Sequence, residues 1–148
     1  FGHNSNGIEL SNLYMDSNLT SRYNEDAQYK AISGTLGKDS KIHDIWVQHF
    51  EVGMWIGDYD QTGNMKYTDG LVVENARIRN NLADGINFAQ GTKNSTVKNS
   101  NIRGNGDDGL AIWSSISDGT NAAAEENNKF LNNTIESGCV RLVSVFWW

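Results

Sequence analysis

The hydrophobic pattern of this chain alternates at period two over several short stretches, most clearly in residues 7–15 and 41–56. Between residues 71 and 113 one such pattern is written twice, with a shift of 24 residues between the two copies. The matched pairs are Val73 and Val97, Asn75 and Asn99, Ile78 and Ile102, Arg79 and Arg103, Asn81 and Asn105, and Asp84 and Asp108. Alternation within a repeat of this length predicts a solenoid whose coils stack about 4.8 Å apart.

Further coils are predicted on either side of this repeat. Aligning Ile42 with Val73 places Val47 on Ile78 and Gly53 on Asp84, so the coil that begins at Lys41 lacks the acidic residue. Another coil begins near Phe130. Polar stretches at about 16–30, 57–70 and 114–127 interrupt the period and are predicted to be loops. The fold class is therefore all-β, with residues 1–148 forming part of one parallel β-helix domain.

The ends of the chain suggest that this β-helix is incomplete. The last residues, 143–148, form an apolar run that resembles a strand and has no closing turn. Solenoids protect their terminal coils with polar caps, so we expect further coils or caps beyond the sequence.

Composition narrows the choice of partner. The 148 residues carry a net charge of −6, and both nucleic acid and anionic membrane surfaces favour clustered lysine and arginine. Neither is expected as a partner, and a neutral ligand such as a sugar stays open. The single cysteine, Cys139, excludes an intrachain disulfide and thiolate metal sites.

Three aspartates are the strongest candidates for chemistry. Stacking of the two copies makes Asp84 and Asp108 neighbours, with Asp107 beside them. Clustered carboxylates supply the acid and the base of glycoside hydrolysis, and their repulsion raises at least one pKa. An unbroken strand would point Asp84 and Asp108 into the core, so we expect a bend or bulge at Gly85 and Gly109 to turn them outward. The alternative is that Asp-Gly marks ordinary turns.

The loop at 57–70 matches a calcium-loop pattern with oxygen ligands at regular spacing. The predicted ligands of a structural calcium ion are Asp58, Asp60, Thr62, Asn64 and Asp69. A polar loop without metal is the alternative. No cofactor is expected for the chemistry itself.

Aromatic residues near the carboxylates are candidates for binding sugar rings. Trp113 follows the acidic pair and should face away from the core, where an indole can stack on a glucosyl ring. Trp55 and Tyr59 are weaker candidates for the same role, and core or loop packing is the alternative for all three. His43 and His49 are expected to form structural hydrogen bonds, and Arg79 and Arg103 to hold neighbouring carboxylates or asparagines.

The strings Arg79-Asn-Asn-Leu-Ala-Asp-Gly-Ile-Asn-Phe88 and Ile102-Arg-Gly-Asn-Gly-Asp-Asp-Gly-Leu-Ala-Ile-Trp113 resemble the α-1,3-glucanase/mycodextranase family, glycoside hydrolase family 87. The strings at 6–15 and 41–50 are similar to it as well. The resemblance implies a right-handed, pectin-lyase-like parallel β-helix. It also implies a secreted enzyme that cleaves α-1,3-glucosidic bonds in α-glucan (mutan or nigeran) with inversion. At full length the protein is expected to be a monomer.

The same resemblance assigns roles to the acidic residues. Asp84, Asp107 and Asp108 match the catalytic aspartates of the family. By similarity to polygalacturonases, Asp107 is the general acid, while Asp84 and Asp108 hold and deprotonate the water. The polygalacturonase His-Gly and Arg-x-Lys motifs are not visible. The rival hypotheses are a polygalacturonase- or pectate-lyase-like enzyme and a non-catalytic adhesion module.

Overall fold

The computed structural model describes residues 5–18, 20, 26, 29–57, 67–114, 124–136 and 141–147. These residues form short strands that follow one another around a coil, three strands to a coil. The strands are β1 (Glu9–Ser11), β2 (Tyr14–Asp16), β3 (Lys30–Gly34), β4 (Lys41–His43), β5 (Trp46–Gln48), β6 (Val52–Ile56), β7 (Val72–Glu74), β8 (Arg77–Arg79), β9 (Ile86–Ala89), β10 (Thr96–Lys98), β11 (Asn101–Arg103), β12 (Asp108–Ser114), β13 (Lys129–Leu131), β14 (Thr134–Glu136) and β15 (Arg141–Trp147).

Every third strand joins the same sheet, and all neighbours within a sheet are parallel. Sheet A has the order β1-β4-β7-β10-β13, sheet B the order β2-β5-β8-β11-β14, and sheet C the order β3-β6-β9-β12-β15. This is a parallel β-helix, as the repeat predicted. Within the described residues no helix is long and apolar enough to cross a membrane.

Adjacent strands of the two repeated coils pair with the 24-residue shift that the sequence predicted. Val73 pairs with Val97 in sheet A, Ile78 with Ile102 in sheet B, and Ile86 with Leu110 in sheet C. These side chains are fully buried, because each strand turns its central or alternate residues inward. Burial of an aliphatic side chain stabilises the fold by roughly 1.5–3 kcal/mol, so the stacked core stabilises each coil against its neighbours.

One predicted alignment was wrong by one residue. In sheet B, Gln48 pairs with Arg79, but in sheet C, Met54 pairs with Ile86. The corner between these sheets is therefore one residue shorter in the earlier coil, and Gly53 lies beside Gly85 and not beside Asp84. The interpretation that this coil lacks the acid still holds, because Val52 takes the position next to Asp84.

Asparagines that the repeat aligns lie at the corners between strands. Asn75 and Asn99 both adopt a left-handed backbone with φ of 51°, a conformation that asparagine tolerates well. At the next corner the Asn81 Nδ2 donates to Asn105 Oδ1 at 2.9 Å, and Asn81 Oδ1 accepts the Phe50 N–H at 3.0 Å. These buried amides satisfy backbone groups that no strand partner reaches.

The polar stretches that were predicted to be loops lie largely between strands. Asp16 ends β2 and Lys30 begins β3, while Ser114 ends β12. Residues 67–70 also belong to the coil, since Asp69 bridges to Lys38 on one side and Lys93 on the other. Most of the 57–70 stretch, and residues 115–123, lie outside the described residues.

Candidate active site

The three predicted aspartates converge at the corner where sheet B leads into sheet C. One carboxylate oxygen from each of Asp84, Asp107 and Asp108 lies within 4.8 Å of the others. Asp84 and Asp108 are nearly buried, with exposed fractions of 8% and 4%, whereas Asp107 is exposed. The cluster therefore combines two sheltered carboxylates with one that faces solvent.

The two sheltered carboxylates point to the outer face of sheet C, as the sequence required. Asn87 Nδ2 donates to Asp84 Oδ2 at 2.8 Å, and Ser144 Oγ donates to Asp108 Oδ1 at 2.7 Å. Asn87 and Ser144 both pair with Ala111, in the row that faces away from the core. A regular strand cannot bring residues three positions apart to one face, so the chain bends after each aspartate.

The reason for glycine at this bend differs from the expected one. Gly85 does not have a positive φ, so it is not required for a left-handed turn. A Cβ atom at Gly85 would lie 2.5 Å from the Gly109 carbonyl oxygen, 2.7 Å from Asn105 Nδ2 and 2.8 Å from Ile102 Cγ2. Glycine is needed because the next coil approaches too closely for a side chain. Gly53 is in the same situation one coil earlier, with a Cβ atom 2.5 Å from the Gly85 carbonyl oxygen.

Burial raises the pKa of Asp84 above the ordinary value of 3.8. Hydrogen bonds from the Asn87 side chain and from the Asp108 N–H, the latter at 3.2 Å, favour the ionised form and lower the pKa. The negative charges of Asp107 and Asp108 raise it again. Because burial and repulsion outweigh the two hydrogen bonds, Asp84 is a stronger base than a solvated aspartate.

Two predicted sugar-binding tryptophans lie together on the outer face of sheet C. The rings of Trp55 and Trp113 are 5.7 Å apart, and both are partly exposed. Trp55 pairs with Asn87, so its indole lies in the same outward-facing row as the residue that donates a hydrogen bond to Asp84. Lys30 Nζ lies 5.9 Å from the Trp55 ring and is ion-paired with Glu51 at 2.8 Å. The third predicted residue, Tyr59, lies outside the described residues.

Two residues that the sequence analysis did not select contact the carboxylates directly. Asn87 and Ser144 are buried, with exposed fractions of 5% and 6%. Asn87 is visible in the sequence as the polar residue between Ile86 and Phe88, which marks it as facing outward. Ser144 carries no such signal, because its contact depends on the register between β12 and β15.

The predicted calcium loop is described only at its end. Asp69 Oδ1 accepts a hydrogen bond from Asn94 Nδ2 at 2.7 Å, and Oδ2 lies 4.0 Å from Lys93 Nζ. The other four predicted ligands, Asp58, Asp60, Thr62 and Asn64, lie outside the described residues. Calcium binding here stays a prediction.

Both described histidines form hydrogen bonds with carboxylates. His43 Nδ1 lies 2.6 Å from Asp44 Oδ2, and Nε2 lies 2.8 Å from Glu9 Oε1. His49 Nδ1 lies 2.8 Å from Asp16 Oδ1. These contacts are the structural role that was expected.

The pairing of His43 predicts a dependence of stability on pH. The hydrogen bonds to Asp44 and Glu9 raise the pKa of His43 above 6.5. Burial and the positive charge of Lys41 lower it, but by less. Glu74 is the residue that pairs with His43 on the neighbouring strand β7. Because the pKa is higher in the folded than in the unfolded state, protonated His43 stabilises the fold fully at pH values below about 6.5, the unfolded pKa. This stabilisation is lost as pH rises through the folded pKa. We expect the melting temperature to fall over this window in the wild type and to fall less in His43→Gln, as followed by thermal denaturation. Equal slopes in both proteins would contradict the assignment.

Residues 1–147 match the family model described as alpha-1,3-glucanase catalytic domain D2. A comparison with curated proteins found no match. Among solved structures, the chain is similar to the one titled "Crystal structure of Agl-KA catalytic domain", with 56% sequence identity and a TM-score of 0.79. The match covers 89% of this chain and 22% of that chain, so this chain spans about a fifth of its length.

Proposed function

This chain belongs to the alpha-1,3-glucanase catalytic domain D2 family, and on that premise we propose that it hydrolyses α-1,3-glucosidic bonds in α-glucan. The observation that carries the proposal is the cluster of Asp84, Asp107 and Asp108 on the outer face of the β-helix. An outward-facing acidic cluster beside two tryptophans offers both the reactive groups and a surface on which a sugar chain can lie.

We propose that Asp84 and Asp108 hold and deprotonate the attacking water. Two oxygens that share one water lie roughly 4.5–5 Å apart, because each hydrogen bond is about 2.7–2.8 Å long. The oxygens of this cluster lie within 4.8 Å of one another, which suits that arrangement. The raised pKa of Asp84 suits it to act as the base, since a base is most effective when its pKa approaches the working pH.

Asp107 is then the general acid that protonates the leaving oxygen. It is the exposed member of the cluster, so it can reach a glucan chain that lies along the surface. The negative charges of Asp84 and Asp108 favour a proton on Asp107, because a third negative charge so close to them would be repelled. The leaving glycosidic oxygen takes this proton as the bond to the anomeric carbon breaks, and the water oxygen forms the new bond.

We propose that the reaction inverts the anomeric carbon, although the spacing is short for that outcome. Inverting enzymes usually separate acid and base by roughly 6.5–9.5 Å, and retaining enzymes by about 5–5.5 Å. A retaining nucleophile has to reach the anomeric carbon with one of its own oxygens, yet Asp84 is almost wholly buried. Sheltered carboxylates of this kind are better suited to hold water than to attack the sugar.

Product analysis tests both parts of this proposal. We expect release of reducing sugar from α-1,3-glucan, and first products in the β-configuration by proton NMR, since inversion of an α-linkage gives the β-anomer. An α-anomer would show retention. Nigeran and polygalacturonate belong in the same panel, because cleavage of nigeran would indicate mycodextranase specificity. Unsaturated products that form from polygalacturonate only with calcium would indicate a pectate lyase instead.

The hydrogen bond from Asn87 predicts a specific change in pH dependence. Asn87 lowers the pKa of Asp84, so Asn87→Leu removes that effect, and the pKa of Asp84 should rise further. The base must be ionised, and we therefore expect the acidic limb of the kcat/KM profile to move to higher pH. Asn101→Leu, on the outer face of sheet B, is the matched control and should leave the limb unchanged. An unmoved limb in Asn87→Leu would remove Asp84 as the base.

We further propose that the enzyme acts outside the cell. Its polymeric substrate cannot pass a membrane, so the enzyme has to meet it in the external medium. Detection of the native protein in the culture fraction of its source cells would support this, and retention of the protein within the cells would contradict it.

A further inference from the structure

A cleft lies on sheet B, away from the carboxylates. It has a volume of about 410 Å³ and is lined by Tyr14, Trp46 and Arg77 together with the corner residues Asp44 and Asn75. These residues lie at or just before the first residues of β2, β5 and β8, whereas the catalytic cluster follows the ends of β8 and β11. The cleft and the carboxylates are therefore at opposite ends of the strands of sheet B.

The most exposed aromatic ring of this cleft is held in a fixed orientation. Tyr14 is 60% exposed, yet its hydroxyl donates to Asp16 Oδ2 at 2.6 Å and accepts from Gln48 Nε2 at 3.0 Å. Its ring also meets Trp46 edge to face at 5.5 Å. An exposed aromatic side chain that is already ordered loses little conformational entropy when a ligand covers it.

The rest of the lining offers hydrogen-bonding groups of both kinds. Trp46 Nε1 donates to Gln48 Oε1 at 2.9 Å, and the Arg77 guanidinium lies 5.6 Å from the Trp46 ring. The Arg77 side chain lines the cleft and carries several N–H donors. Asp44 also lines the cleft. Its carboxylate oxygens lie within hydrogen-bond distance of His43 Nδ1 and Asn75 Nδ2, and each oxygen has a second lone pair with which to accept from a ligand. The charges balance, which favours a neutral polyhydroxyl ligand over an ion.

We propose that this cleft is a second binding site for α-glucan, one that holds another segment of the polymer while the carboxylates cleave. This inference rests on the proposed function for the choice of sugar. The Tyr14 ring would stack on the C–H face of a glucosyl unit, and Arg77 and Asp44 would donate to and accept from its hydroxyls. A site of this kind raises the concentration of enzyme on an insoluble polymer without taking part in the chemistry.

The test compares insoluble and soluble substrates. In the full chain, Tyr14→Ala combined with Arg77→Ala should weaken adsorption to insoluble α-1,3-glucan about tenfold, measured by depletion in an Asp107→Asn background. The kcat/KM for soluble α-1,3-oligosaccharides, measured with Asp107 intact, should stay unchanged. Tyr29→Ala is the matched control, because Tyr29 is 62% exposed and precedes β3, outside the cleft. Tyr14→Phe keeps the ring and should adsorb more strongly than Tyr14→Ala.

The possible results distinguish a failure of the second binding site from a failure of the proposed hydrolytic activity. Adsorption equal to that of Tyr29→Ala, with hydrolysis intact, would overturn the second site and leave the activity standing. An equal loss on soluble oligosaccharides would also overturn it, because the cleft would then act on the reaction itself. If the wild type hydrolyses no α-glucan but still adsorbs through Tyr14, the activity fails and the site remains. Thermal denaturation of each variant confirms that the fold is intact.

Discussion

We expect Asp107→Asn to lower kcat on α-1,3-glucan by at least about 100-fold, because general acid catalysis contributes roughly 10²–10⁴-fold. Asparagine has nearly the same shape but carries no proton that it can give to the leaving oxygen. Asp107 is exposed, so the substitution should not lower the melting temperature. Reducing-sugar release from the polymer, beside a thermal denaturation curve, is the measurement.

Substrates with different leaving groups test whether Asp107 is the general acid. On an aryl α-glucoside with a good leaving group, which needs little protonation, the loss in Asp107→Asn should shrink, whereas the loss in Asp84→Asn should persist. Asp39→Asn is the matched control, because Asp39 is exposed at a corner with φ of 54°, which asparagine also tolerates. Wild-type activity in Asp107→Asn would remove this residue from the mechanism.

The second large effect is on stability. We expect Gly85→Ala to destabilise the fold by about 3 kcal/mol, the upper part of the usual range for overpacking. The added Cβ would meet the Gly109 carbonyl oxygen at 2.5 Å, and that oxygen belongs to the backbone of the next coil and has little room to move. Chemical denaturation of both proteins gives the difference in free energy of unfolding.

Gly7→Ala is the control for this substitution. A Cβ at Gly7 meets nothing within 4 Å, although the backbone there has φ of +63°, so the variant carries only the strain of a left-handed alanine, roughly 1–2 kcal/mol. If both variants lost the same stability, close approach between coils would not be the reason for glycine at position 85. Because Gly85 follows Asp84, we also expect Gly85→Ala to lose activity at temperatures where it is still folded.

Consecutive coils repeat one pattern of alternation, and this is why the sequence predicted so much of the fold. The 24-residue shift that pairs Val73 with Val97 needed no structure, since stacked coils place equivalent residues one above the other. The same shift brought Asp84 next to Asp108. The Asn81 and Asn105 ladder followed for the same reason, and each of these contacts lies between residues that are equivalent in the repeat.

Insertions and corners were less predictable. Gly53 was placed opposite Asp84 because the alignment allowed no change of length at the corner between sheets B and C. The structure shortens that corner by one residue in the earlier coil and places Gly53 beside Gly85. A one-residue change leaves no trace in period-two alternation, since the strand simply resumes with its apolar residues inward.

The sequence by itself determined a parallel β-helix with three aspartates stacked at one corner, because repeat and alternation are properties of the chain. Only the tertiary structure decided how these aspartates are held: Asn87 and Ser144 bind the carboxylates, and Trp55 meets Trp113 beside them. These contacts join residues that are not equivalent in the repeat. They depend on the bend after each aspartate and on how closely one coil packs against the next, and both are set by packing between coils.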